Sequence, residues 1–257
     1  MVLFRGDIKC KSLQRRTSIS VILPADNIHF LNDSEEIVPQ PYKTLYLLHG
    51  LYGSDDIFLA NTSIQKFAED HGIAIVIPCG ENSFYLDRED AHAYYGEYVG
   101  QELLDITRNI FPLSRRREDT YIAGFSMGGY GAIRNGLKYC NNFSKIGMIS
   151  AALITDDIAN YTSDSNVLRD SSFYKSCFGD LDNIENSDKN PKYLIDNCDD
   201  IPDIFMACGE NDFLIDKNVD FYEFLKSRNI DAEFIRAQGE HTWEFCDKYI
   251  KEFIKRL

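Results

Sequence analysis

Short apolar runs alternate with amphipathic stretches along most of the chain. "KTLYLLHG" reads as a buried strand over Lys43–Leu48 that ends at a glycine turn. "TSIQKFAEDHG" sets Ile64, Phe67 and Ala68 at helical spacing and stops at Gly72. "IAIVIP", Ile73–Pro78, is apolar at nearly every position, as suits a strand covered by helices on both faces. A helix follows in "YVGQELLDITRNIF", with Val99, Leu103, Ile106 and Ile110 expected on one side. Further strands are predicted over Thr120–Ala123, Lys145–Ser150, Asp203–Cys208 and Ala232–Ala237, with a helix from Met127. A closing helix turns Phe245, Tyr249, Phe253 and Leu257 to one face. Two strands, Phe4–Lys11 and Ser18–Leu23, precede the alternation, and the polar loop "ADNIHFLNDSEEIVPQP" leads into it. Strands alternating with helices predict one α/β domain over residues 1–257, a mostly parallel central sheet flanked by helices. Residues 152–200 break the rhythm. They are polar, rich in Asn, Asp and Ser, and too long for a plain connection, so an insertion or lid is expected after the sixth strand.

Composition narrows the functional classes. A length of 257 residues supports a substantial core, and 44% hydrophobic with 26% charged residues is ordinary for a soluble domain. The net charge of −14 repels phosphate backbones and anionic membranes, so neither nucleic acid nor membrane is an expected partner. No apolar run approaches the ~20 residues that span a bilayer, and charges interrupt "MVLFRGDIKCKSLQRRT" too early for a secretory signal. The seven cysteines are odd in number and never spaced C-x-x-C. Free thiols in the cytoplasm are expected, with no metal site. No G-x-G-x-x-G follows the first strand, so no cofactor is predicted. Oligomeric state is open, a homo-oligomer included.

The chemistry concentrates in "TYIAGFSMGGYGA". Gly124-Phe125-Ser126-Met127-Gly128 follows an apolar strand and opens a helix, the setting of a nucleophile elbow. A glycine-rich strand-to-helix turn that serves packing or holds an anion is the competing reading. A serine hydroxyl needs a base and an orienting carboxylate. His241, in "AQGEHTWEF", lies between the last strand and the last helix, where the base belongs. His29, His71 and His92 lie earlier, in loops or at helix ends, and His49 is expected to shape the turn at Gly50. In "ACGENDFLID" Asp212 is favoured as the acid over Glu210, nearest the strand end, and Asp216, expected to cap the next helix. Two donors must hold a tetrahedral oxyanion. The motif predicts Met127 N–H, and "LLHGLYGSDD" offers Leu51 N–H between Gly50 and Gly53. Tyr52, Phe84, Tyr85 and Trp243 are candidate pocket residues, with core packing as the alternative.

Over nearly its whole length the chain is similar to the esterase D and tributyrin-esterase group of α/β-hydrolases, related to carbohydrate esterase family one. The likeness runs through "KSLQRRTSISVILPAD", "LYLLHGLYGSDDIF", "HGIAIVIPCGENSFYLD", "FPLSRRREDTYIAGFSMGGYGA", "CGENDFLID" and "GEHTWEF". It implies the α/β-hydrolase fold and a serine esterase for short acyl chains. Ser126, Asp212 and His241 would form the triad, and the Leu51 and Met127 N–H groups the oxyanion hole. Phe58 stands where the group often has Trp, and Thr242 where Asp often follows the histidine. Small-molecule or saccharide esters, acetyl or feruloyl among them, are the implied substrates. An S-formylglutathione hydrolase of the same broad group and a non-catalytic binding protein on a hydrolase scaffold are the alternatives. The "NSFYLD" loop also resembles a segment of the related mycolyltransferases.

Overall fold

The structure, a computed structural model, describes residues 1–25, 41–159 and 170–257. The polar loop expected over 25–41 falls outside them except at its two ends, as do His29 and residues 160–169 of the expected lid. Among the described residues there are ten strands: β1 (Val2–Cys10), β2 (Arg15–Leu23), β3 (Thr44–Leu48), β4 (Ala74–Pro78), β5 (Asp87–Arg88), β6 (Ala93–Tyr94), β7 (Thr120–Phe125), β8 (Lys145–Ile149), β9 (Asp203–Gly209) and β10 (Ala232–Ala237). Eight of these form one sheet in the order β1-β2-β4-β3-β7-β8-β9-β10, and β5 pairs with β6 in a separate two-stranded sheet. β2 is antiparallel to both β1 and β4, and every pairing from β4 to β10 is parallel.

Burial follows the apolar pattern. Every residue of β3, β4 and β7 is buried, which requires side chains without charge on both faces of the sheet. Alternate residues feed two layers. Tyr46, Leu48, Val76, Ile122 and Met148 pack with the helix Met127–Lys138 on one side. Leu45, Leu47, Ile75, Ile77 and Ile149 pack with the helix Trp243–Ile254 on the other.

Three local expectations change. The opening hairpin is longer than its apolar residues suggest, because β1 and β2 pair over nine residues each and an antiparallel edge tolerates polar side chains on an open face. The helix expected around Tyr98–Phe111 carries a π turn over Tyr98–Glu102 before Leu103–Ile110. The extra residue in that turn rotates the helical face after it. Val99, Leu103, Leu104 and Thr107 therefore face the core, while Ile106 is only half-buried and Ile110 is 58% exposed. Leu257 lies beyond the last helix, which ends at Ile254.

The described residues of the 152–200 stretch include the helices Thr155–Ala159, Ser171–Phe178 and Pro191–Asp196. They are seated on the body. Tyr174, Phe178, Ile184 and Ile195 join the core layer over the helix Met127–Lys138. Arg134 of that helix, 1% exposed, pairs with Asp188 at 2.6 Å. Among the described residues no helix is long and apolar enough to cross a membrane.

Candidate active site

Ser126 is the hinge between β7 and the helix Met127–Lys138, with φ +59° and ψ −118°. Side-chain-bearing residues avoid this region, so the surroundings must hold it. The Ser126 N–H donates to Ile149 O at 3.0 Å, and its carbonyl accepts from Tyr130 N–H (3.1 Å) and Ala152 N–H (3.0 Å). The flanking glycines are compelled by backbone. A Cβ on Gly128 would lie 1.9 Å from Leu48 O, and one on Gly124 2.2 Å from Gly128 O. Neither neighbour can yield, which is the physical content of the glycine spacing around the serine.

Asp212 and His241 come from the ends of β9 and β10, neighbours in the sheet. The two loops are tied by Glu210 N–H to Ala237 O (2.8 Å) and Asn211 N–H to Gly239 O (3.0 Å). Asp212 is buried. Its Oδ1 accepts from Leu214 N–H at 2.9 Å, and its Oδ2 from His241 Nδ1 at 2.9 Å. Burial pushes this carboxyl up, but the hydrogen bond from His241, the positive charge His241 carries when protonated and the Leu214 amide outweigh it and hold it below the usual aspartate value. An ionised carboxylate cannot donate, so the proton sits on His241 Nδ1 and Nε2 is left as a base. The imidazole is stacked on Phe125, ring centres 4.6 Å apart, with Phe213 4.7 Å from it. Phe125 immediately precedes Ser126, so the histidine ring lies against the turn that carries the serine. Of the competing acids, Glu210 is exposed and bonded to Gln238. Asp216 is exposed in the first turn of the helix Ile215–Ser227, and Leu214, not Asp216, holds its N-cap position. Thr242 caps the last helix, its hydroxyl accepting from Phe245 N–H. An aspartate would do the same work there.

The glycine turn after β3 abuts the serine: a Cβ on Gly50 would stand 3.3 Å from Ser126 Cβ. Among the described residues no hydrogen bond is seen from the N–H of Leu51 or of Met127. His49 fastens this turn. Its Nδ1 donates to Gly50 O (2.7 Å), and its Nε2 accepts from Gly80 N–H (2.8 Å). Burial lowers its pKa and keeps it neutral, matching those bonds. Phe84 and Tyr85 are 1% and 0% exposed, so they form the wall behind the turn and offer no surface to a ligand. Tyr85 donates to His49 O at 3.0 Å. Tyr52, by contrast, is 75% exposed at the rim of a cleft of about 600 Å³ that also involves Glu81, Asn82 and Tyr95. Its N–H donates to Asn82 Oδ1 at 2.8 Å. Trp243 packs edge-on to Phe58 and 5.2 Å from Phe125. Sequence reasoning missed Phe213 and Asn82. Adjacency to Asp212 could have flagged the first, whereas the second acts through a partner thirty positions away.

With this geometry in hand, known proteins are directly comparable. The Esterase family matches residues 10–253. The chain belongs to the Esterase family. This Esterase-family chain is 40% identical, over 97% of its length and 96% of the relative's, to an acetyl esterase of Caldicellulosiruptor saccharolyticus. It is similar to the substrate-bound fluorophosphonate-binding serine hydrolase F of Staphylococcus aureus, with 30% identity and a TM-score of 0.87 over 99% and 97% of the two chains. An S-formylglutathione hydrolase of the same organism follows, with 30% identity and a TM-score of 0.84 over 99% and 98%. The protein is thus a carboxylic ester hydrolase on the α/β-hydrolase fold.

Proposed function

We propose that this esterase hydrolyses short-chain acyl esters, of the acetyl and tributyrin type, through an acyl-enzyme on Ser126. His241 Nε2 takes the Ser126 Oγ proton as Oγ bonds to the ester carbonyl carbon. The carbonyl oxygen becomes an oxyanion, held by the N–H groups of Leu51 and Met127. Collapse breaks the bond to the alcohol oxygen, which leaves with the proton from Nε2. Water then repeats the sequence on the acyl-enzyme and releases the acid. Asp212 keeps the imidazole in the required tautomer and stabilises the imidazolium, remaining ionised throughout.

The observation that carries this reading is the 2.9 Å Asp212–His241 bond, with the ring stacked on the residue that precedes the strained Ser126. Tyr52, at the cleft beside Leu51, is the proposed contact for the alcohol portion, an acetylated or feruloylated saccharide among the candidates. Trp243 backs the acyl side through Phe125. The stretch 152–200 is proposed to cover the acyl pocket. Seven unbridged thiols support work in the cytoplasm.

The test is hydrolysis of p-nitrophenyl acetate together with labelling by a fluorophosphonate. Ser126→Ala is expected to lose both, the rate falling by about 10⁴ or more. Full activity in that variant sinks the mechanism. Likeness to the S-formylglutathione hydrolase supports a second reading, a thioesterase. Relative kcat/KM on S-formylglutathione and on acetyl esters separates the two.

A further inference from the structure

β1 is an edge strand, and among the described residues no strand pairs with its outer side. An open edge invites another strand, and proteins usually blunt it with charge of one kind, proline or a bulge. β1 has neither proline nor bulge, carries charges of both signs at Arg5, Asp7 and Lys9, and exposes Leu3 and Phe4, 40% and 47%; the Phe4 ring lies tilted with its centre 5.4 Å from Phe111, next to the exposed Ile110. Gly6 sits at its midpoint. A Cβ there would meet nothing within 4 Å, so the single chain supplies no packing reason for a glycine that weakens a strand. Glycine inside a strand commonly marks the close approach of another backbone.

We propose that β1 pairs antiparallel with β1 of a second copy of this chain, about a two-fold axis through Gly6. Val2–Cys10 is symmetric about that residue, so all nine positions pair. Arg5 then opposes Asp7 of the partner subunit, twice by symmetry, and Phe4 opposes Ile8 of the partner subunit. Arg5 spends Nη2 on Asp55 and Asp56 and keeps further N–H donors for a carboxylate. Among the described residues no ion pair is seen at the Asp7 carboxylate; Arg16 donates to the Asp7 carbonyl oxygen at 3.4 Å and not to its side chain. Charge also fixes the register. Slipping two residues one way sets Arg5 against Arg5, and the other way sets Asp7 against Asp7 and Arg5 against Lys9. A slip of one residue would turn the side chains to opposite faces. The contact is isologous and closes at two copies.

The test combines mass and cross-linking on the full chain. Light scattering should give an even multiple of the 29.5 kDa chain mass. Asp7→Lys should halve it, weakening association at least about tenfold, because two attractive cross-strand pairs become repulsive. Unchanged ester hydrolysis reports that this variant is folded. In Gly6→Cys the two opposed Cα atoms are about 4.5–5.5 Å apart, within disulfide reach. Diamide, taking up the two thiol protons and two electrons, should link residue 6 to residue 6 between copies. Lys9→Cys is the control: its two copies lie about 20 Å apart along the pair, and it should stay unlinked. A wild-type monomer, a mass indifferent to Asp7→Lys, or cross-linking through position 9 as readily as through position 6 overturns the proposal.

Discussion

Ser126 carries a left-handed backbone that its own side chain disfavours, and three backbone hydrogen bonds hold it there. Asp212 and His241 obey a different logic, in which one hydrogen bond decides which imidazole nitrogen can act as a base. Asp212→Asn tests this at the scale of one atom. The amide would donate to Nδ1 and move the ring proton to Nε2, where it blocks proton uptake from serine. A fall in kcat of about 10⁴, with little change in thermal stability, is expected on p-nitrophenyl acetate. A decline below tenfold would show that Asp212 does not govern the tautomer. Because wild-type Asp212 is held below the ordinary aspartate value, it stays ionised as pH drops toward that value. The acid limb of the rate profile therefore belongs to another group. The placement of Ser126, Asp212 and His241 after three strands was legible in the sequence because each sits beside residues that announce the turn; their joint action as a triad is the proposal. The bonds of His49 were not, since Gly80 reaches it from thirty-one positions away.

Among elements, the β7-to-helix turn depends on missing side chains as much as on the serine. Gly128→Ala should destabilise the fold by roughly 4 kcal/mol or more, since its Cβ would collide with a backbone oxygen that cannot rotate away. Thermal melting checks it, and a variant that melts within a few degrees of wild type would disprove the crowding. Element identities were readable from periodicity, but two features escaped. The π turn at Tyr98–Glu102 redirected the next helix face, because an even 3.6-residue spacing cannot anticipate an inserted residue. The polar start of β2, residues 15–17, looked unlike a strand, because β1 supplies its ladder and exposed residues at an antiparallel edge need no apolar side chains.

At the scale of the molecule, the α/β class and the mostly parallel sheet followed from alternation alone. The strand order did not, since β2 inserts beside β4 and β4 beside β3 through pairings that no local pattern encodes. The sheet also distributes stability unevenly. β3, β4 and β7 are buried throughout, whereas none of the six residues of β10 is fully buried. His241 hangs from that thin far edge, four residues after β10 ends. The chain's single tryptophan, Trp243, stands two residues further on, against Phe58 and Phe125. Indole emission is therefore an optical gauge of whether the histidine is docked. Regions with few buried contacts open before the core does. During a urea titration, ester hydrolysis and Trp243 fluorescence should fade together, at lower urea than the far-ultraviolet dichroism of the central sheet. If the fluorescence instead tracks the dichroism after activity has gone, the edge does not open as a unit. A loss of activity under mild stress would then lie elsewhere than in β10, whose outward position otherwise makes the enzyme's own light a readout of its competence.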